Sequence, residues 1–155
     1  MASIADFITQ AESVIMAITP AYLPGLQYRL APKNKPLAEL IDAGVDTHRS
    51  FQVTPHMVVE HGHFNGDCYS IKHHVTITFR YLFDDSVNDS FIKASCMASA
   101  DAAQVVHAML YPPATVWTTD CYGVEFISHD PLTAAEAGIV YVYTSVLTFL
   151  VEYAV

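Results

Sequence analysis

Positive charge is scarce in this chain of 155 residues, which has seven Lys and Arg residues against sixteen Asp and Glu residues, a formal net charge of −9. Because nucleic-acid affinity comes mainly from Lys and Arg side chains that neutralise phosphates, we expect no tight DNA-binding face. Charged residues make up only 15% of the chain, whereas 52% of it is hydrophobic. That composition predicts that some apolar surface lies against a partner.

Cysteine is also rare. The only three, Cys68, Cys96 and Cys121, form an odd set without the spacing of a disulfide framework, which favours a reducing compartment. The N-terminal segment lacks the basic region and the uninterrupted apolar run of a secretory signal peptide. We therefore expect a soluble, intracellular protein with a single domain over residues 1–155.

The longest β-type pattern lies at the C-terminus, over Gly138–Val155. Its apolar and aromatic residues recur at every second position, which favours a strand over a membrane-spanning helix. We expect a central strand with helices on one face and partial cover on the other. Before it, Val116–Ile127 is predicted to be a strand with a bulge at Gly123, and Ser128–Ala137 a polar loop.

A long β-hairpin is the clearest local prediction. The β-rich runs Phe51–His63 and Cys68–Phe83 flank Asn65 and Gly66, a pair that suits the two positive-φ positions of a type I′ turn. The strands are longer than a chain of this size needs, so we expect the hairpin to project. Pro55 indicates an edge strand or a bulge.

Two helices complete the predicted fold. Ser3 is placed to cap a helix that ends before Pro20, and a second helix begins at Ser99 or Asp101, with an extension back through Phe91 left open. The order helix, hairpin, helix, hairpin predicts an α+β fold. It has a mainly antiparallel β-sheet, two helices packed on one face and a long projecting β-hairpin.

The hairpin also offers the best metal-binding hypothesis. The predicted register places His63 opposite Cys68 and His61 opposite Ser70, so that His61, His63 and Cys68 share one strand face. Solvated polar residues on an exposed face explain the same pattern more simply. We therefore expect no resident metal and keep a small metal-binding protein as the alternative of a different class.

A nucleophilic site would need Cys121 to act with His129 and Asp130. No nucleophile elbow or glycine-rich oxyanion element accompanies the cysteine, and the sequence has no phosphate-binding loop or dinucleotide fingerprint. A cysteine that fills space within a strand explains Cys121 equally well. We therefore expect no enzymatic activity and no cofactor.

The C-terminal third resembles a known family. The segments Tyr122–Phe126, Ser128–Asp130, Ala137–Ile139 and Leu147–Tyr153 resemble the closing hairpin of tail terminator, or tail completion, proteins of tailed bacteriophages. The helix Asp101–Tyr111, the long hairpin before it and the amphipathic opening helix occur in the same order. The likeness therefore covers most of the chain as topology, through apolar alternations that other sheets share.

The resemblance implies a structural virion protein of the phage neck. It implies subunits that form a hexameric ring, which caps the tail tube, ends tail elongation and joins the tail to the head connector. The implied partners are other copies of the chain, the tail tube protein, neck proteins and, in a contractile tail, the sheath, with no membrane. DNA would pass through the bore without specific binding, because an acidic wall repels a polyanion. Another neck protein, an adaptor or a stopper, is the alternative of the same class.

Two sets of candidate residues follow from this hypothesis. The candidate subunit or tube interface consists of Phe64, Asn65, Gly66, Tyr69, Tyr141, Tyr143 and Tyr153. The candidate acidic bore consists of Glu60, Asp67, Asp84, Asp85 and Asp89.

Overall fold

The computed structural model describes residues 3–37, 49–64, 68–84, 86–112, 123–137 and 140–154, in which each of two helices precedes a run of strands. In chain order they are α1 (Ile4–Met16), β1 (Arg29–Leu30), β2 (Ser50–Phe64), β3 (Cys68–Phe83), α2 (Ser90–Leu110), β4 (Gly123–Ala137) and β5 (Val140–Ala154). No helix among these residues is long and apolar enough to cross a membrane.

The strands form one sheet in the order β1-β2-β3-β5-β4. Only the short β1 runs parallel to its neighbour, and every other pair is antiparallel. The C-terminal strand β5 lies between β3 and β4 and pairs with both along nearly its whole length. The predicted α+β fold is confirmed. The last strand has a partner on each side, as predicted, but the middle strand of the described sheet is β3.

Both helices pack on one face of this sheet. The odd-numbered residues of β3 and β5, such as Ile77 and Phe149, are buried there together with Phe7 of α1 and Met97 and Met109 of α2. Each such side chain stabilises the fold by roughly 1.5–3 kcal/mol when it is removed from water. The period-2 pattern of the sequence therefore corresponds to a real division between two faces.

The opposite face carries a row of hydroxyl groups. Cross-strand register aligns Thr54 with Thr76, Thr76 with Thr148, and Thr148 with Ser128. Thr76, Thr148 and Ser128 are half-buried and Thr54 is exposed. Thr side chains fit a pleated surface well and pair across strands, so this row stabilises the sheet without forming a second apolar core.

The first helix begins as predicted, since the backbone N–H of Asp6 donates to the Ser3 hydroxyl at 3.1 Å. The predicted start of the second helix at Ser99 or Asp101 is wrong. Helix α2 begins at Ser90, in agreement with the extension that the sequence left open. Asp101 resembles a cap in the sequence but is fully buried in the middle of α2, because it holds an arginine from another part of the chain.

The predicted loop Ser128–Ala137 is also wrong, because β4 continues through it to Ala137. The strand accommodates its turn-like residues with two register shifts, one between Phe126 and Ser128 and one between Leu132 and Ala135. Such irregularities are tolerated at the edge of a sheet. The predicted strand Val116–Ile127 lies outside the described residues before Gly123. Because Gly123, opposite Glu152, is the first residue in the described register, the predicted bulge there stays a prediction.

The hairpin β2–β3 is present, but its register differs from the prediction by one residue. Phe64 pairs with Cys68 and His63 with Tyr69, so the predicted pairs His63–Cys68 and His61–Ser70 are not formed. Three residues separate Phe64 from Cys68, the last pair of the hairpin, whereas the predicted turn has two. Asn65 and Gly66, and with them the predicted turn type, lie outside the described residues.

Strand β2 is irregular where the sequence indicated it. The register shifts between Pro55 and Val58, which confirms the predicted irregularity at Pro55. Strand β3 also pairs with β5 as far as the pair Ser70–Ala154, so only a short tip of the hairpin extends past the last β5 residue. The projection of that tip stays a prediction.

Candidate functional site

Arg49 makes the densest polar network among the described residues. Its Nε donates to Asp101 Oδ2 at 2.6 Å, and one terminal nitrogen donates to Asp101 Oδ1 at 3.0 Å. The remaining donors bind the backbone carbonyl groups of Tyr22, Leu23 and Leu26 in the loop between α1 and β1. All five N–H donors of the guanidinium therefore have acceptors.

Two tyrosines extend this network. The Tyr81 hydroxyl donates to Asp101 Oδ2 at 2.9 Å, and the Arg49 guanidinium carbon lies 5.7 Å from the centre of the Tyr28 ring. Burial, and next the Asp101 carboxylate, raise the pKa of both tyrosine hydroxyls above the usual value. Both therefore keep their protons at neutral pH.

These residue types occur in catalytic sites, but their burial here argues for a structural role. Arg49, Asp101 and Tyr81 are each 0% exposed. A substrate cannot meet groups that no solvent reaches. The network instead joins helix α2, the sheet and the loop after α1. Sequence reasoning missed it because the two charges are 52 positions apart and nothing local marks them as a pair.

The nucleophilic hypothesis receives no support from His129. Its Nε2 lies 2.7 Å from the Ser145 hydroxyl of the neighbouring strand. Ser145 is only 1% exposed in the middle of β5, so this contact links two strands and offers no accessible nucleophile. Asp130 binds the hydroxyl of Ser128 at 2.9 Å, and Cys121 lies outside the described residues.

The metal hypothesis loses the register on which it rested. The metal hypothesis needs the pairs His63–Cys68 and His61–Ser70. In the structure His61 pairs with Ile71, and Cys68 pairs with Phe64. Within the described residues, no group of three or more His, Cys, Asp and Glu side chains is placed to hold a metal ion.

Two of the candidate interface tyrosines lie together at one end of the sheet. Tyr141 stacks on Phe83 with ring centres 5.4 Å apart, and Tyr143 meets Phe91 edge-on at 6.1 Å. Phe91 also meets Phe83 at 5.3 Å and is 48% exposed. We call Phe83, Phe91, Tyr141 and Tyr143 the aromatic patch. Val87, in the turn before α2, and Ile92, in its first turn, are also exposed, at 53% and 58%.

The other interface candidates are placed elsewhere. Tyr153 lies toward the opposite end of β5, is 6% exposed and stacks on His73 at 5.7 Å, so its ring belongs to the core of this chain. Phe64 and Tyr69 occupy the last positions of β2 and the first positions of β3. Asn65 and Gly66 lie outside the described residues.

Of the acidic bore candidates, Asp84 and Asp89 share the exposed turn between β3 and α2. Asp84 accepts hydrogen bonds from the backbone and the hydroxyl of Ser86, which lowers the pKa of its carboxyl group. Asp89 pairs with Lys93 at 3.3 Å. Glu60 is the register partner of Lys72 on β3, and Asp67 and Asp85 lie outside the described residues.

Among the residues that the structure describes, both edges of the sheet have backbone that pairs with no further strand. Strand β4 is the outermost strand on one side. On the other side, β1 pairs only with Ser50 and Phe51, and within the described residues no strand pairs with the outer edge of β2 beyond them. Unpaired edges are the parts of a sheet that bind another chain most readily.

The chain matches no protein-family model, and no curated protein matches it either.

Replacing Asp101 with Asn should lower the free energy of unfolding by about 3–5 kcal/mol, because it leaves the buried Arg49 charge uncompensated. Chemical denaturation monitored by circular dichroism measures this loss. Asp89→Asn is the matched control, since its pair with Lys93 is exposed and contributes at most about 1 kcal/mol. Equal effects of the two variants would contradict the structural role of Asp101.

Alkaline pH should destabilise the protein through Tyr81. Below 10.0, the usual pKa of tyrosine, the folded and unfolded states are both protonated, and this contribution to stability is fully present. As the pH rises above 10.0, the unfolded state loses a proton that the folded state keeps, so the free energy of unfolding falls by about 1.4 kcal/mol per pH unit. Denaturation curves between pH 8 and about pH 11 measure the slope, which Tyr81→Phe should reduce. An unchanged slope in that variant would show that Tyr81 does not cause it.

Proposed function

We propose that this protein is a structural component of the neck of a tailed bacteriophage, a tail terminator. Copies of the chain form a ring, of six subunits by the family resemblance, that caps the tail tube, ends its elongation and joins the tail to the head connector. The bore of the ring lets DNA pass without specific binding.

The observation that carries this proposal is the pair of sheet edges that lack a strand partner within the described residues. Strand β4 ends the sheet on one side, and β2 extends well beyond the two-residue β1 on the other. If two copies meet through these two different edges, the contact is head to tail, and such contacts close into a ring when the rotation permits.

Composition and the aromatic patch support the same function. The exposed faces of Phe91, Ile92 and Val87 offer apolar area to a neighbouring subunit or to the tube. The net charge of −9 suits a wall along which DNA slides, because like charges repel. Arg49, Asp101 and Tyr81, whose residue types occur in catalytic sites, are in contrast buried.

Electron microscopy of the purified protein tests the proposal. We expect rings with six-fold symmetry and, by light scattering, a mass of six times the 17.1 kDa of one chain. Rings added to polymerising tail tube protein should shorten the tubes and appear at one tube end. A protein that stays monomeric at every concentration and leaves tube length unchanged would contradict this function.

A further inference from the structure

Charge is segregated along this chain. All seven Lys and Arg residues lie at or before Lys93, whereas residues 94–155 contain six Asp and Glu residues and no Lys or Arg. Strands β4 and β5 both come from the acidic segment. The sheet order therefore places an acidic strand, β4, at one edge of the sheet.

Two carboxylates of β4 are exposed to solvent. Glu125 and Asp130 are both exposed. Glu136 adds a third carboxylate to the strand, at the register position opposite Tyr141 of β5. We call the outer side of β4 the acidic edge.

The opposite edge of the sheet is basic. Arg29 of β1 and, in the segment that follows, Lys33 and Lys35 are exposed. Lys33 pairs with the buried Glu12 at 2.7 Å, but within the described residues neither Arg29 nor Lys35 has an acidic partner. We call residues 29–35 the basic segment. Glu39, Asp42 and Asp46 follow it outside the described residues.

Side-chain hydrogen bonds hold the basic segment against β2. The Gln52 side-chain amide donates to the carbonyl groups of Pro32 and Lys35, at 3.3 and 2.9 Å, and accepts from the backbone N–H of Leu37 at 3.0 Å. The backbone of Ala31 also donates to Phe51 at 2.9 Å. The positive charges therefore have a defined place at the edge of the sheet.

The two edges are too far apart to neutralise each other within one chain. Four strand spacings separate β1 from β4, roughly 19 Å. Electrostatic screening acts over about 8 Å at physiological ionic strength, so each edge interacts mainly with what touches it. Contact between two acidic edges, or between two basic segments, brings like charges together, and only a head-to-tail contact pairs opposite charges.

We propose that the acidic edge of one copy docks against the basic segment of the next copy. The closure of these contacts into a ring rests on the proposed function, whereas the head-to-tail contact itself follows from the charges. Pro131 and the two register shifts interrupt the outer backbone of β4, which limits a new strand ladder to short stretches. Charge therefore selects the partner, and a short ladder such as one along Gly123–Phe126 adds affinity.

Two charge-reversed variants test this contact. In Glu125→Lys/Asp130→Lys both edges are basic, and in Arg29→Glu/Lys35→Glu both are acidic. Each variant alone should associate at least ~10-fold more weakly than the native chain, because like charges meet at every contact. An equimolar mixture should recover association, since each variant then supplies the edge that the other needs. Sedimentation velocity at low ionic strength measures all four samples.

Salt dependence and a matched variant complete the experiment. Raising NaCl from about 0.05 to about 0.5 M should weaken association of the native chain by ~10-fold or more. Asp6→Lys also reverses an exposed carboxylate, but one in the first turn of α1 that belongs to neither edge, so it should associate like the native chain. Circular dichroism confirms that every variant is folded.

The outcomes separate this contact from the proposed function. The head-to-tail contact is supported if each variant by itself loses association and the mixture of the two variants recovers it. Association that is equal in all variants, or no self-association at any salt concentration, overturns it. Six-fold rings that remain intact after the charge reversals would overturn the contact and leave the proposed function standing. If the mixture recovers association but forms open chains, the ring is overturned and the contact is kept.

Discussion

The fold depends on one buried ion pair. Arg49 and Asp101 are inaccessible to solvent, and a charge in that position is tolerated only when its hydrogen bonds are satisfied. Arg49 also adopts a left-handed backbone conformation, with φ of 63°, which is unfavourable for a side chain of its size. The five hydrogen bonds it makes offset this strain and fix three otherwise separate parts of the chain: the loop after α1, the start of β2 and the middle of α2.

That constraint explains why one face of the sheet is closed and the edges are open. The ion pair fixes α2 across β3 and β5, and the side chains of Phe79, Leu147 and Phe149 are buried beneath the two helices. No comparable element covers the outer side of β4 within the described residues. Apolar side chains thus cover one face of the sheet. At the edges, turn-type residues and charged side chains determine what can bind.

The sequence predicted those features that depend on period and local chemistry. Ser3 caps α1 because a hydroxyl before an amphipathic run has one favoured use, and the alternation in β5 identified the buried face. It failed where tertiary contacts override local preference. Asp101 was interpreted as a cap because its partner is remote in sequence, and Ser128–Ala137 as a loop because its polar residues and Pro131 are typical of turns. The hairpin register failed by one residue because Asn-Gly favours a two-residue turn without requiring one.

The error over β4 points to what distinguishes this strand. A strand with a proline, two register shifts and exposed carboxylates is poorly suited to indiscriminate pairing, since each of these features blocks or repels another edge. The same features leave one kind of neighbour acceptable, an edge that carries positive charge and does not need a continuous ladder. In a chain with so few basic residues, Arg29 and Lys35 provide such charge on the far side of the same sheet. With the proposed head-to-tail contact, protection against aggregation and selection of a second copy would be one property of β4, and such a subunit would add neighbours in a single direction.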